Sequence, residues 1–155
     1  MKMFNCTAKG GITFAVLLLL SQSVYSQRHK PIDREEYIRT YSDLAMKEMA
    51  RTGIPASIKL AQGCLESNNG NSTLAVRANN HFGIKCHEWK GKKIYHDDDE
   101  RNECFRSYRS VYESYMDHSA FLTGKSRYAS LFELKPHDYR GWAHGLLLAL
   151  TAMLL

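Results

Sequence analysis

The feature that most constrains the fold is a change of pattern in the middle of the chain. Apolar residues follow a helix-type spacing over residues 33–78, short strand-like segments occupy residues 82–108, and helix-type spacing returns from Ser110. The polar run Asp97–Asn102 predicts a turn between two of the strand-like segments. Helices on both sides of a small antiparallel sheet indicate an α+β fold. We expect a helical body beside a β-hairpin lobe, with a cleft between them that suits an extended polymer.

Two capping boxes predict where the main helices begin. Asp33 and Ser110 are each followed three residues later by a glutamate, which is the signature of a helix N-terminus. The first helix is expected to end at Gly53, and a second helix, with Pro55 in its first turn, is expected to end near Glu66. The other predicted segments are strands at Phe82–Cys86, Lys93–His96 and Glu103–Tyr108, and helices at Thr73–Ala78, at Ser126–Leu134 and from Asp138 to about His144.

The first 26 residues have the pattern of a secretory signal peptide. Lys2 and Lys9 precede the apolar run Ile12–Leu20, and small or apolar residues lead to a cleavage site after Ser26. We therefore expect export to the periplasm or the cell exterior. The apolar run is too short to span a bilayer, so no membrane span is expected in the mature chain. Residues 27–145 are then one folded domain, which we expect to be a monomer.

The charge of the mature chain favours some partners over others. Removal of the signal peptide leaves 19 Lys and Arg residues against 16 Asp and Glu residues, a net charge of +3. That excess suits an anionic polymer such as cell wall. The basic residues do not cluster among aromatic ones, which argues against a nucleic-acid partner. The histidines from His81 to His144 show no pair at metal-ligand spacing with a matching acid, so neither a metal nor a cofactor is expected.

The mature chain keeps three cysteines, and export makes a disulfide chemically allowed. Cys86 and Cys104 lie in strand-like segments, whereas Cys64 lies in a helical one. We predict a Cys86–Cys104 disulfide, with Cys64 left as a buried thiol.

Glu66 is the best candidate for a catalytic carboxyl. It ends an apolar helical segment and precedes the small polar residues Ser67–Gly70, so one side is packed and the other faces open space. Partial burial raises the pKa of a carboxyl, which a general acid needs near neutral pH. The alternative is a solvated glutamate at a helix end, although a negative charge is unfavourable beside the helix C-terminus.

Four consecutive acids, from Asp97 to Glu100, lie at the predicted hairpin tip. One of these carboxylates is a candidate to face Glu66 as a base or charge stabiliser. A solvated turn that keeps a sheet edge soluble is the alternative. A calcium loop is a third option, but the Asp and Gly spacing of an EF-hand is missing.

Side chains suited to sugar binding lie nearby in the sequence. The amides of Asn79 and Asn80 match the hydroxyl and acetamido groups of a sugar, and they equally suit a turn into a strand. Aromatic rings stack on sugar rings, although we expect more than half of the candidates to be core residues. These candidates are Trp89, Tyr95, Phe105, Tyr108, Tyr112 and Tyr115.

Taken together, these motifs resemble the glucosaminidase family of flagellar cell-wall hydrolases and bacterial autolysins, glycoside hydrolase family 73. The resemblance covers about residues 35–145 and follows the family's order. The matching residues are Ala61-Gln62, Glu66-Ser67, Gly70, Ser72, Leu74-Ala75, Asn79–Lys85, Phe105–Tyr108, Tyr115, Asp117 and Arg127-Tyr128.

The resemblance implies a lysozyme-like fold and an endo-acting glucosaminidase that hydrolyses the β-1,4 bond after N-acetylglucosamine in peptidoglycan strands. Glu66 would give a proton to the leaving oxygen, and Asp97 or Asp98 would be the second carboxylate. An alternative is that the acetamido group of the substrate is the nucleophile. The implied substrate contacts are Ser67, Asn79, Asn80, Phe82, Tyr95, Tyr108 and Tyr115.

The end of the chain departs from the family pattern, which continues with a Gly-Tyr-Ala segment and a final helix. Residues 146–155 are instead an apolar stretch with no evident amphipathic period, which we interpret as a truncated or frameshifted end of the domain. Two alternatives therefore stay open. One is a catalytically weak cell-wall-binding module, and the other is a muramidase or lytic transglycosylase on the same fold.

Overall fold

The computed structural model describes residues 30–151. The predicted signal peptide, residues 1–26, and the last four residues of the apolar C-terminal stretch lie outside the described residues. Within the described part, no helix is long and apolar enough to cross a membrane.

The first two helices have the predicted ends. Helix α1 spans Arg34–Thr52, and the Asp33 side chain accepts a hydrogen bond from the backbone N–H of Glu36 at its start. Gly53 closes the helix in the left-handed conformation, at φ 79°, which glycine adopts without strain. Helix α2 spans Ala56–Glu66 and packs against α1. The capping box and the Gly-Pro break are therefore confirmed as boundary signals.

The central lobe is a two-stranded hairpin that follows a short helix. Helix α3 spans Thr73–Ala78, strand β1 spans Lys93–His96 and strand β2 spans Glu103–Arg106. The strands pair antiparallel, with Ile94 opposite Phe105. The two-stranded hairpin beside helices confirms the predicted α+β class.

The predicted strand at residues 82–86 is wrong, because this segment makes only an isolated bridge between Lys85 and Phe105. The Asn80 side chain donates to the carbonyl of Ile84 and accepts from its N–H, at 3.0 Å in each case. A side chain therefore holds the N–H of Ile84 and shares its carbonyl with the N–H of Arg106 on β2. Gly83, at φ 57°, bends the segment further. The second strand also ends two residues earlier than predicted.

Three helical segments complete the domain. Helix α4 spans Val111–Gly124, a 3-10 helix spans Ser126–Glu133, and helix α5 spans Tyr139–Thr151. The capping box at Ser110 is confirmed, because its hydroxyl accepts from the N–H of Glu113. Helix α5 starts within the segment predicted to begin the last helix and continues to Thr151.

The second half of α5 contains part of the apolar stretch that begins at Leu146. Leu146 and Ala149 are buried, whereas Leu147 and Leu148 are exposed. Residues 146–149 therefore have one packed and one exposed side, contrary to the absence of an amphipathic period noted from the sequence. Leu146 and Ala149 join a cluster with Trp142 of the same helix and with residues of distant segments, including Ile54, Leu122, Tyr128 and Leu131.

A second hydrophobic cluster lies beneath the cleft. Its buried members are Ala45, Phe82, Ile84 and Tyr115, so it joins α1 and α4 to the loop that follows α3. This cluster supports the segment that faces the hairpin lobe.

Candidate active site

Glu66 is the last residue of α2 and lines a cleft of about 380 Å³. Gln62, one turn earlier on the same helix, lines the cleft beside it. The lining also includes Lys85, His87 and Asp99, and the remaining part of the lining, which we call the floor, is mostly apolar. The floor residues are Phe82, Ile84, Phe121, Leu122, Tyr128 and Leu146, together with His118.

The pKa of the Glu66 carboxyl is raised above its usual range. Although the side chain reaches solvent, the protein that surrounds it removes part of the water around its carboxyl, and this desolvation is the larger cause. The negative charge of Asp98 is the second cause. Both effects favour the protonated carboxyl, which is the form that can donate a proton to a leaving oxygen.

Ser67 fixes the helix end that carries Glu66. Its hydroxyl is fully buried, donates to the carbonyl of Gly63 and accepts from the N–H of Gly70 at 2.6 Å. Asn68 and Asn69 then turn the chain in the left-handed conformation, at φ 50° and 55°. Asparagine tolerates that conformation better than most residues, which explains the turn-forming sequence here.

Tyr37 supports this turn from below. Its hydroxyl lies 2.9 Å from Nδ1 of His81 and 3.0 Å from the hydroxyl of Tyr115. A Cβ atom on Gly63 would lie 2.4 Å from the Tyr37 hydroxyl, so only glycine lets α2 approach this closely. Burial lowers the pKa of His81 to about 4, so this ring is neutral at physiological pH.

The two candidate second carboxylates differ in their surroundings. Asp97 Oδ1 accepts the backbone N–H of Asn102 at 2.7 Å, so this carboxylate stabilises the hairpin turn. Asp98 instead acts on Glu66 through its charge. Of the two predicted residues, Asp98 is therefore the one that is electrostatically coupled to Glu66.

Lys85 neutralises the neighbouring acids. Its ammonium lies 2.6 Å from Glu103 Oε1 and 3.4 Å from Asp99 Oδ2. Asp98, Asp99 and Glu103 form the one group within residues 30–151 whose ligand atoms lie close enough to hold a metal ion. Because a lysine ammonium already lies against two of these three carboxylates, a cation there would compete with it.

Several predicted substrate contacts form part of the scaffold. Ser67, Asn80 and Tyr115 are fully buried, and protein atoms engage their polar groups. Asn79 donates to the carbonyl of Tyr108 at 3.1 Å. These polar groups are engaged within the protein, and their contact with substrate stays a prediction.

The Tyr108 side chain is also held by hydrogen bonds within the scaffold, whereas no such bond among residues 30–151 holds the side chains of Tyr95 and Phe82. Its hydroxyl donates to Asp117, which also receives two hydrogen bonds from Arg106. Tyr95 lies on the hairpin with 58% of its surface exposed, and Phe82 forms part of the cleft floor. Of the aromatic substrate contacts that the family resemblance implies, these two rings remain available to a ligand.

The interpretation of the sequence missed a buried polar network behind the cleft. Lys59 and Glu48 are 0% and 1% exposed, and His118 is 7% exposed. From the sequence, His118 was considered only as a metal ligand, and its place on the buried face of α4 was not recognised. Spacing was the available signal, because His118 follows the buried Tyr115 by three residues, which places both on one face of a helix.

Cys86 and Cys104 are joined by a disulfide, and Cys64 is a buried free thiol. The bond links the segment after Ile84 to strand β2. Backbone hydrogen bonds reinforce the link, from Cys86 to Cys104 at 2.8 Å and from Arg106 to Ile84 at 2.9 Å. The disulfide and these hydrogen bonds hold the hairpin lobe against residues 84–86, beside the cleft.

Comparison with known proteins identifies related sequences and structures. The exo-glucosaminidase LytG of Bacillus subtilis is 33% identical over 124 residues, which is 73% of this chain and 44% of LytG. The peptidoglycan hydrolase FlgJ of Pseudomonas aeruginosa is 31% identical over 112 residues, 64% of this chain and 28% of that protein. The chain therefore spans less than half the length of these two relatives.

Solved structures show the same fold. The glycoside hydrolase domain of Salmonella typhimurium FlgJ superposes with a TM-score of 0.62 at 28% identity, over 76% of this chain and 77% of that one. A peptidoglycan hydrolase from Sphingomonas sp. A1 gives 0.64 at 26% identity, over 74% and 76%. The model of the mannosyl-glycoprotein endo-beta-N-acetylglucosaminidase family matches residues 42–152. The chain belongs to this glucosaminidase family of glycoside hydrolases.

Proposed function

We propose that this protein is an exported endo-β-N-acetylglucosaminidase that hydrolyses the β-1,4 bond after N-acetylglucosamine in peptidoglycan. The observation that carries the proposal is Glu66, a carboxyl with a raised pKa at the edge of a cleft. The names of the relatives support the substrate class, because they include an exo-glucosaminidase and peptidoglycan hydrolases. The signal-like N-terminus supports export to the periplasm or the cell exterior.

In this mechanism Glu66 protonates the glycosidic oxygen as the bond to the leaving sugar breaks. The sugar ring left behind develops positive charge beside the Asp98 carboxylate. This carboxylate either stabilises the charge or accepts a proton from the water that adds to the anomeric carbon. The acetamido oxygen of the substrate is an alternative internal nucleophile. In either route Glu66 must be protonated at the start, which its raised pKa favours.

The central test is hydrolysis of purified cell wall by the wild type and by the Glu66→Gln variant. General acid catalysis contributes roughly a hundred- to ten-thousandfold to a rate, so we expect a loss of that size. Glu35→Gln is a matched control, because Glu35 is an exposed acid on α1. Equally negligible release of fragments by wild type and Glu66→Gln, with binding to cell wall retained, would favour a binding module.

Mass spectrometry of the products separates the possible bond specificities. Reducing N-acetylglucosamine ends are expected from a glucosaminidase. Reducing N-acetylmuramic acid ends would indicate a muramidase, and anhydro ends would indicate a lytic transglycosylase. Release of internal fragments rather than single terminal sugars would distinguish endo action from the exo action that the name of LytG describes.

A further inference from the structure

A buried polar chain runs from α1 through α4 to the floor of the cleft. Arg51 pairs with Glu48, whose Oε2 accepts from the Ser119 hydroxyl at 2.6 Å. The Ser119 hydroxyl in turn accepts from the Lys59 ammonium at 2.6 Å. Lys59 Nζ lies 3.0 Å from Nδ1 of His118, which lines the cleft. The proposed acid Glu66 takes no part in these contacts, so its role does not account for this buried polar chain.

The contacts of Lys59 determine which nitrogen of His118 carries the proton. An ammonium has three donors and no acceptor. The Lys59 ammonium directs these to the Tyr115 carbonyl, the Ser119 hydroxyl and His118 Nδ1, at 3.2, 2.6 and 3.0 Å. Nδ1 must therefore accept, and the proton of the neutral ring lies on Nε2.

Charges near Lys59 define when this arrangement holds. Burial lowers the pKa of Lys59 to about 7, while the negative charge of Glu48 opposes the decrease. Burial and the Lys59 charge hold the pKa of His118 well below its usual value. At mildly acidic pH the pair is thus a charged Lys59 and a neutral His118.

The ring of His118 has a defined orientation. It stacks on Phe82 with 4.0 Å between ring centroids and an angle of 2° between their planes. The two nitrogens of an imidazole point in roughly opposite directions, so Nε2 points away from the buried Lys59. Nε2 makes no hydrogen bond among the described residues, and it is not one of the buried polar atoms left without a partner. Nε2 therefore keeps some accessible surface, on a residue that is 7% exposed and lines the cleft.

We propose that His118 and Phe82 form a binding site for the acetamido group of the glycan, with His118 Nε2–H donating to the acetamido oxygen. This inference rests on the proposed function, since it assumes an N-acetylated sugar polymer as substrate. The acetamido methyl contacts the apolar floor around the histidine, including Leu122 and Phe121. Lys59 is a positioning residue, because it acts on the ligand only through His118.

The chemistry of the floor favours an acetamido group over a sugar hydroxyl. The N–H of His118 is a donor, and its neighbours Phe82, Phe121 and Leu122 in the same lining are apolar. A carbonyl oxygen with an attached methyl group satisfies both features. A sugar without its acetyl group would leave the imidazole N–H without an acceptor in an apolar setting. The site therefore disfavours de-N-acetylated sugars.

Binding measurements test the site without requiring hydrolysis. In the Glu66→Gln variant, we expect a β-1,4 tetramer of N-acetylglucosamine to bind at least tenfold more tightly than the corresponding glucosamine tetramer. The additional change His118→Asn should weaken binding of the acetylated tetramer roughly tenfold, with little effect on the other. Asparagine retains an acceptor for Lys59 but has no group at the position of Nε2, and the free energy of unfolding of the variant checks that the fold is preserved.

The control is His137→Asn, because His137 is exposed and does not line the cleft. Equal affinities for the two tetramers, or an unchanged preference after His118→Asn, would overturn the proposal. If the preference is present but wild type hydrolyses no cell wall, the acetamido site stands and the proposed enzymatic function fails.

The tautomer can be observed directly. Nitrogen-15 NMR of the wild type at mildly acidic pH should show a neutral His118 with its proton on Nε2, and addition of the acetylated tetramer should shift that resonance. A proton on Nδ1, or a resonance unaffected by saturating ligand, would contradict the orientation that the contact with Lys59 requires.

Discussion

Asp98, on the hairpin lobe, lies near enough to Glu66, at the end of α2, for its negative charge to raise the pKa of the Glu66 carboxyl. Glu66 ends a helix and Asp98 lies between the two hairpin strands, so the fold brings together two residues from separate elements. Part of the acid strength of Glu66 is therefore set by the hairpin.

Substitution of Asp98 by Asn should lower the pKa of Glu66. The protonated form of Glu66 is the active one, so activity falls as the pH rises through this pKa. Removal of the negative charge favours ionisation, and the falling basic limb of the pH–rate profile should move to lower pH. The measurement is kcat/KM on cell-wall fragments across pH.

Glu100→Gln is the matched control for this prediction, because Glu100 is an exposed acid on the same hairpin tip. Its removal should leave the limb in place. A basic limb that stays fixed in Asp98→Asn would show that the charge of Asp98 does not act on Glu66.

Substitution of Gly63 by Ala should destabilise the domain by about 1–3 kcal/mol, the usual cost of inserting a methyl group into a packed site. The added Cβ would lie 2.4 Å from the hydroxyl of the buried Tyr37. The measurement is the free energy of unfolding in denaturant. Gly124→Ala is the control, since no atom lies within 4 Å of its Cβ position. Equal stability of the two variants would contradict the close contact with Tyr37.

The sequence predicted the parts of the fold that local signals determine. The side-chain acceptors at Asp33 and Ser110 and the left-handed Gly53 act within a few residues, so the helix boundaries followed from them. The segment at residues 82–86 failed for the opposite reason. The side chain of Asn80 holds the N–H of Ile84 and Gly83 bends the segment, and an apolar pattern shows neither effect.

The candidate site likewise contains residues that local signals predict and residues whose burial depends on distant contacts. The position of Glu66 at a helix end was evident from its neighbours, whereas the burial of Lys59 and Glu48 depends on contacts between residues as much as 71 positions apart. A charged residue in a helical pattern normally indicates a solvent-facing position. Only the three-dimensional arrangement shows that these two charges are buried through a shared serine.

The burial of Lys59 should make stability depend on pH. Its pKa in the folded state, about 7, lies below the ordinary value of 10.5, so between these values the unfolded chain binds more protons. Stability should therefore rise with pH above 7, by at most about 1.4 kcal/mol per pH unit from this group. Burial also raises the pKa of Tyr37, Tyr108 and Tyr115, so stability should fall once unfolded tyrosines ionise above about pH 10.

Comparison with Lys59→Met isolates the contribution of the lysine. The free energy of unfolding of each protein is measured by denaturant titration from pH 6 to pH 10. The difference between wild type and variant should change steadily in favour of the wild type as the pH rises above 7. A difference that is constant with pH would show that Lys59 keeps its ordinary pKa in the folded protein.

Removal of the Cys86–Cys104 disulfide should lower the free energy of unfolding by about 3 kcal/mol, because the bond closes a loop between residues 18 positions apart. The double variant Cys86→Ala/Cys104→Ala is compared with the wild type in denaturant, with and without reductant. Reductant should destabilise only the wild type. Hydrolysis should also decrease, since the bond holds the lobe that carries Asp98 against residues 84–86 beside the cleft. Equal stability of both proteins under oxidising conditions would show that the backbone hydrogen bonds alone hold this lobe in place.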